Sequence, residues 1–320
     1  MTKPQKLERS ACGKVILCGE HSVVYGRPAI AVPVSDLRAY AKVEPAKPGS
    51  QLRIVTPDLG GQMLLQSAAP EDPLAKICHL VLEHLDQPEP DLVLTITSDL
   101  PIAAGLGSGA AVTVAAARAL SASLGAELPP EMISEMTYEV EKIHHGMPSG
   151  IDNTVIAWEQ PVYFVKNKPP ETFEIQRPFH LIIANSGISG STREAVTAVR
   201  HHWKTAPDFY ETLFNCIGAI ADAAREAIKT GQLGILGALL NENHKLLREL
   251  GVSLPELDQL VTAARETGAW GAKLTGAGQG GNIIALMPED CMPEIEAALH
   301  EAGAAQVWCT QVGQPGGGCE

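Results

Sequence analysis

The segment Pro101-Ile102-Ala103-Ala104-Gly105-Leu106-Gly107-Ser108-Gly109-Ala110-Ala111 lies between an apolar stretch and an alanine-rich one. Glycines let backbone N–H groups crowd around an anion, and a following helix N-terminus adds partial positive charge. Phosphate is the anion such a loop suits. The P-loop form requires a lysine followed by Ser or Thr, and no lysine follows here. The dinucleotide form requires a second strand ending in an acid about 20 residues on. That interval instead holds Gly125-Ala126-Glu127-Leu128-Pro129-Pro130 and a further helix. A phosphate loop of a third type and a plain glycine turn stay open.

Three other segments carry reactive residue types. Lys273-Leu274-Thr275-Gly276-Ala277-Gly278-Gln279-Gly280-Gly281 places four glycines in six residues between two apolar stretches. Close backbone approach to a ligand or to the other lobe would explain that density, and an ordinary hairpin bend is the plainer alternative. In Ala11-Cys12-Gly13-Lys14 through Gly19-Glu20-His21 to Tyr25-Gly26, a lysine interrupts an apolar run and an acid–imidazole pair follows a glycine. A solvated lysine and a structural histidine are the bland readings. Glu141 precedes His144-His145 and then Pro148-Ser149-Gly150-Ile151-Asp152-Asn153. The turn before Asp152 would hold its carboxylate in a fixed direction, though a turn or cap role would use the same residues. The adjacent imidazoles of His144 and His145 diverge and no third ligand is evident, so both are read as structural.

The elements that must position these groups follow from periodicity. Residues 15–17 and 29–34 read as short buried strands around a turn at 25–28, and 36–66 as antiparallel strands. Helical spacing marks 73–85, 108–123 and 131–145, with a strand at 92–97. Residues 166–178, with three prolines, read as the joint between two lobes. Beyond it come a strand at 180–184, helices near 192–203, 208–229, 232–249 and 254–267, and a hairpin-like pair at 269–274 and 282–287. A helix at 288–302 and a strand at 306–312 complete the pattern, with a mobile tail at 315–320. Strands and helices are segregated rather than alternating, which favours α+β over a doubly wound sheet. The expected division is 1–168 and 169–320.

Composition narrows the function classes. The 320 residues carry 37 acids against 24 Lys plus Arg, a net charge of −13, which argues against nucleic-acid or anionic-membrane binding. The chain is 45% hydrophobic but only 4% aromatic, so its core is aliphatic. Seven widely spaced cysteines, an odd number with no paired motif, read as reduced buried thiols of a cytoplasmic protein. The N-terminus lacks the apolar run of a signal peptide, and the uncharged stretch 100–117 is too rich in Gly and Ala to span a membrane.

Taken together and in order, the segments resemble the signature motifs of the small-molecule kinases grouped as galactokinase, homoserine kinase, mevalonate kinase and phosphomevalonate kinase. Gly13-Lys14 through Gly26, His145 through Asn153, and Ser191-Thr192-Arg193-Glu194 are most similar to the mevalonate kinase branch. The resemblance implies an N-terminal lobe of the ribosomal-protein-S5 kind and a C-terminal ferredoxin-like lobe, with ATP between them. It implies ATP phosphates on Pro101, Ala104, Gly105, Leu106, Gly107, Ser108, Gly109 and Ala110. It suggests Asp152 as the base facing a substrate hydroxyl, Lys14 as its cationic neighbour, and Glu141 as a Mg²⁺ ligand. Lys14, Glu20, His21, Asp152 and Thr192 would contact the acyl substrate, and the loop at Gly276, Ala277 and Gly278 would support the phosphate loop. The family commonly has a second serine where this chain has Gly109, so either Ser108 or a water completes the metal's shell. Gln279 stands where the family loop commonly has glycine.

The expected activity is therefore ATP-dependent phosphorylation of the primary hydroxyl of mevalonate, with a small-molecule substrate, no nucleic-acid or membrane partner, and a homodimer as a compatible assembly. Phosphomevalonate or another hydroxyl of mevalonate as acceptor, or a non-catalytic nucleotide sensor, are the alternatives.

Overall fold

The computed structural model describes residues 6–101, 105–145 and 148–313, without the side chains of 144 and 145. Ala104 of the expected phosphate loop and the tail at 315–320 lie outside the described residues. The chain begins with two long strands, β1 (Leu7–Cys18) and β2 (Ala29–Pro45). Next come β3 (Arg53–Thr56), β4 (Gly61–Leu64), α1 (Pro73–His84) and β5 (Leu92–Ser98). Three helices follow, α2 (Ser108–Ser123), α3 (Pro130–His145) and α4 (Ile151–Trp158). The short β6 (Val162–Phe164) and β7 (Glu171–Thr172) lead to β8 (Phe179–Asn185). Helices α5 (Thr192–Thr205), α6 (Pro207–Lys229), α7 (Leu233–Glu249) and α8 (Pro255–Glu266) precede β9 (Gly271–Thr275) and β10 (Asn282–Met287). The last elements are α9 (Met292–Glu301) and β11 (Gln306–Val312).

Two compact units result, and neither is a contiguous stretch. One comprises Met1–Gly13, Leu37–Ile102 and Gly107–Glu159; the other Lys14–Asp36, Ala103–Leu106 and Gln160–Glu320. The single division expected at 168/169 differs from this grouping for a covalent reason. Strands β1 and β2 are longer than the sequence suggested, and each runs on from one unit into the other.

In the first unit, residues 39–45 of β2 pair antiparallel with β5, from Ala39↔Ser98 to Pro45↔Leu92. Strand β3 joins the opposite edge of β5 in parallel, with Arg53 opposite Val93. Within 36–66 the expected antiparallel pairing is that of β3 with β4, from Arg53↔Leu64 to Thr56↔Gly61; the parallel pairing with β5 was not foreseen. Acids just ahead of β5 explain it. Asp91 accepts from Gly49 N and Gln51 N at 2.9 and 2.8 Å, and Glu89 accepts from Leu52 N at 2.9 Å. These bonds lay the incoming chain beside the start of β5 in the same direction. Helix α2 is lined by buried Ala110, Ala111, Ala115, Ala116 and Ala119, whose small side chains let α1, α3 and α4 pack closely around it. The sequence reading assigned no element to 151–158 beyond the turn before Asp152; a helix, α4, stands there, with Gly150 as its N-cap at φ 91°.

In the second unit, β8, β9, β10 and β11 form an antiparallel sheet in the order β11-β8-β10-β9. Numbered along the chain this is 4-1-3-2, the split βαβ arrangement of ferredoxin-like folds, with α5–α8 inserted in the first crossover. Phe214, Ile217, Leu247 and Leu257 bury against Ile182, Leu274 and Ile283 of the sheet. Residues 29–31 of β2 pair with β6, which pairs with β7, so the proline-rich joint expected at 166–178 contains a strand. The cysteines are less uniformly buried than expected. Cys12, Cys18 and Cys78 are buried, which pushes each thiol up to about 12, whereas Cys216 is exposed.

Helix α7 meets the start of β9 backbone to backbone. A Cβ at Gly271 would stand 2.0 Å from Gly237 O, and one at Gly237 would stand 2.6 Å from the Trp270 carbonyl. Gly271→Ala should therefore destabilise the protein by about 3 kcal/mol through overpacking. An unchanged denaturant midpoint for the variant would contradict so close an approach.

Candidate active site

The glycine loop is shaped at Gly105 and Gly107, both at φ 76°, a left-handed conformation that costs glycine little. Gly107 caps α2, and the helical ladder starts with Ala111 N donating to Gly107 O at 2.9 Å. The N–H groups of Ser108, Gly109 and Ala110 are thus first-turn donors without an intrahelical acceptor. Lys14 grips the other end of the loop. Its backbone N–H donates to Leu106 O at 2.9 Å and its ammonium to Gly105 O at 3.0 Å. Lys14 sits well inside β1 rather than ahead of a strand at 15–17, and its side chain is buried rather than solvated.

Within the first unit, α2 and α3 bring the expected metal ligands toward each other. A Cβ on Gly109 would lie 3.6 Å from Glu141 Oε1, so the carboxylate faces the first turn of α2, where Ser108 is the leading residue. Glu141 is buried and Ser108 half-buried. Asp152 sits in the first turn of α4. Its neighbour Asn153 is a buried anchor, donating to Ser134 O at 3.1 Å and Ser134 Oγ at 2.8 Å. One residue of the Asp152-Asn153 pair therefore locks α4 to α3, and the other stays half-exposed.

Within the second unit, Gly19 lies at φ 102° where a Cβ would meet Ala29 at 2.4 Å, so the turn presses directly on β2. His21 follows at φ 60°. Its Nε2 is 2.8 Å from Ala277 O, and since a carbonyl only accepts, Nε2 carries the proton. Burial pulls this imidazole down to about 4, so the neutral ring keeps Nδ1 as an acceptor. Glu20 is 1% exposed and ion-pairs with Lys273, which is 0% exposed. Burial pushes the Glu20 carboxyl up, and the Lys273 ammonium opposes that shift. Thr275 adds a third link: its hydroxyl accepts from Ile16 N at 3.1 Å and donates to Ile16 O at 2.9 Å.

Lys273 is the functional candidate that sequence reading passed over. It was quoted as the first residue of a loop, although it interrupts an apolar strand much as Lys14 does. A charged side chain in such a strand must find a counter-ion on folding, and that signal was available.

The second glycine loop is explained by backbone packing inside its own unit. A Cβ at Gly278 would stand 2.1 Å from Val252 O, and one at Gly280 would stand 2.5 Å from Ile188 O. Gln279 keeps a left-handed φ of 57° where glycine would be easier, and its side-chain amide donates to Gly251 O at 2.8 Å. Thr192 opens α5 at the surface beside exposed Arg193. The N-cap there is Ser191, whose hydroxyl accepts from Glu194 N at 3.3 Å.

Comparison with known proteins gives a consistent result. The GHMP kinases N terminal domain matches residues 73–159, and the GHMP kinases C terminal domain matches residues 224–305. The mevalonate kinase of Thermococcus sibiricus is 38% identical over 319 residues, covering 93% of this chain and 94% of that protein. That of Pyrococcus furiosus is 36% identical, covering 97% of each. The crystal structure of L. major mevalonate kinase in complex with R-mevalonate superposes with a TM-score of 0.83 at 32% identity, covering 98% of this chain and 99% of that one.

Two buried imidazoles make stability depend on pH. His244, whose Nε2 lies 3.1 Å from Asp258 Oδ1, is also pulled down to about 4, chiefly by burial and then by Arg265. Between about 4 and 6.5 the unfolded chain binds more protons at these sites than the folded protein does. Stability from both rings is complete above about pH 6.5 and is lost as pH falls toward 4, by at most on the order of 3 kcal/mol each. Melting curves at pH 7 and pH 5 should show a marked loss for the wild type and a smaller one for His21→Asn. Equal losses would remove His21 from this account.

Proposed function

The chain belongs to the GHMP kinase family, and we propose that it transfers the γ-phosphoryl group of ATP to the primary hydroxyl of mevalonate, giving 5-phosphomevalonate. The observation that carries this reading is Lys14, a buried cation whose backbone and side chain both hold the carbonyls of the phosphate loop, five residues ahead of the Gly19-Glu20-His21 turn. Relatives with the mevalonate kinase name match over nearly the whole chain.

In this reading the backbone of Pro101, Ala104, Gly105, Leu106, Gly107, Ser108, Gly109 and Ala110 cradles the triphosphate, aided by the first-turn donors of α2. The glycine loop at Gly276, Ala277 and Gly278 supports it. Asp152 orients the mevalonate hydroxyl and takes its proton as the oxygen bonds to phosphorus, while the bond to the departing ADP oxygen breaks. Lys14 stabilises charge on the transferring phosphoryl group. Glu20, His21 and Thr192 contact the acyl substrate, His21 as a neutral ring with an acceptor nitrogen.

The Glu141 carboxylate and the Ser108 hydroxyl are hard oxygen donors of the kind Mg²⁺ takes, and they face the same helix turn, so the residues fit that ion. Gly109 contributes no side-chain oxygen, so Ser108 or a water would complete the shell. Bound there, Mg²⁺ would neutralise phosphate charge. Among the described residues no helix is long and apolar enough to cross a membrane. We place the enzyme in the cytoplasm, working on small molecules without a nucleic-acid or membrane partner.

An ADP-release assay over mevalonate, phosphomevalonate, homoserine and galactose should respond to mevalonate alone. Turnover of phosphomevalonate without mevalonate would reassign the substrate within the same family. Asp152→Asn should keep the fold and nucleotide binding while lowering kcat by about 10²–10⁴-fold. A variant retaining more than about a tenth of wild-type turnover would show that Asp152 is a turn residue only.

A further inference from the structure

Lys273 and Thr275 alternate along β9 and so share one face of the strand, and Ala277 lies two residues beyond its end. Each of the three reaches the same N-terminal segment. Lys273 pairs with Glu20, Thr275 bridges the N–H and C=O of Ile16, and the carbonyl of Ala277 receives the His21 ring. All six residues belong to one compact unit.

Within this seam the Glu20 carboxylate is unusual. Oε1 is bound by Lys273, while Oε2 is buried with no hydrogen-bond partner among the described residues. A buried acceptor left unsatisfied is rare and calls for a partner that arrives later. Lys273 also donates to Leu274 O at 2.5 Å, which fixes the direction from which it holds Oε1. The other lysine electrostatically felt by Glu20 is Lys14, already committed to the phosphate loop.

We infer that Lys273 is a positioning residue for the alcohol substrate: it holds Glu20 through Oε1 so that Oε2 is presented as a fixed acceptor for a substrate hydroxyl beside His21. Lys273 touches no reacting atom. Its contribution passes entirely through Glu20, so it governs capture of the hydroxy acid rather than use of ATP. The inference rests on the mevalonate reading above, and the wild-type assay separates the two, because a wild type that ignores mevalonate would fail that reading before any variant is compared.

The test is a double-mutant cycle of Glu20→Gln, Lys273→Met and the pair together, with KM for mevalonate, KM for ATP and melting temperature measured for each. Glu20→Gln and Lys273→Met should each raise the mevalonate KM at least tenfold and leave the ATP KM within twofold. The double variant should be no worse than Glu20→Gln alone, since Lys273 has nothing left to position. Lys273→Met strands a buried carboxylate and can fail to fold. The comparison of Glu20→Gln with the double variant, in which no unpaired buried ion remains, then decides. A mevalonate KM unchanged in either single variant, parallel shifts in the two KM values, or multiplying effects in the double variant would each overturn the inference.

Discussion

The ion pair between Glu20 and Lys273 constrains more of this molecule than any other single contact. Both side chains are removed from water, so removing either one leaves the other buried without its partner. The pair fixes how β9 lies against the end of β1, and Thr275 and Ala277 repeat that attachment at two-residue intervals. From this one seam follow the orientation of His21, the tight contact of Gly19 with Ala29, and the place where the second glycine loop must turn. The loop then meets Val252 and Ile188 so closely that only glycine is accommodated at 278 and 280.

The two glycine-rich segments, similar on paper, do different physical work. In 105–109 the glycines bend the chain into a helix start whose first-turn N–H groups have no acceptor within the helix. In 276–281 they allow neighbouring backbones to touch, and Gln279 replaces a glycine by tying its amide to Gly251 O. Composition alone cannot tell an anion cradle from a packing joint, because the local conformations are alike and only the neighbours differ.

Most helices and the four strands of the second unit's sheet were legible in the sequence, because their apolar residues recur at periods that local geometry imposes; their ferredoxin-like arrangement was only what the family resemblance implied. What escaped was non-local. The parallel pairing of β3 with β5 depends on Glu89 and Asp91 capturing backbone N–H groups some 40 residues away, which no window of sequence displays. Helix α4 was hidden by the glycine that caps it. Lys14, Glu20, His21, Glu141 and Asp152 were picked out by their segments, but the partner that makes Glu20 intelligible, Lys273, lies far along the chain and was passed over. The interleaved units had the same cause: strands β1 and β2 extend beyond the apolar cores that announced them.

The seam also sets a schedule for biosynthesis. Glu20 leaves the ribosome 253 residues before Lys273, and Ile16 precedes Thr275 by 259. While the intervening residues are made, the segment after the first strand therefore carries an acid destined for burial whose counter-ion does not yet exist. Contacts this distant in sequence form late, after the entropy of closing a very long loop has been overcome. The nascent chain must keep that segment solvated or shielded by a chaperone meanwhile. A polypeptide released before residue 273 lacks the ammonium that pairs with Glu20 in the folded protein, so it cannot bury that carboxylate in the native way.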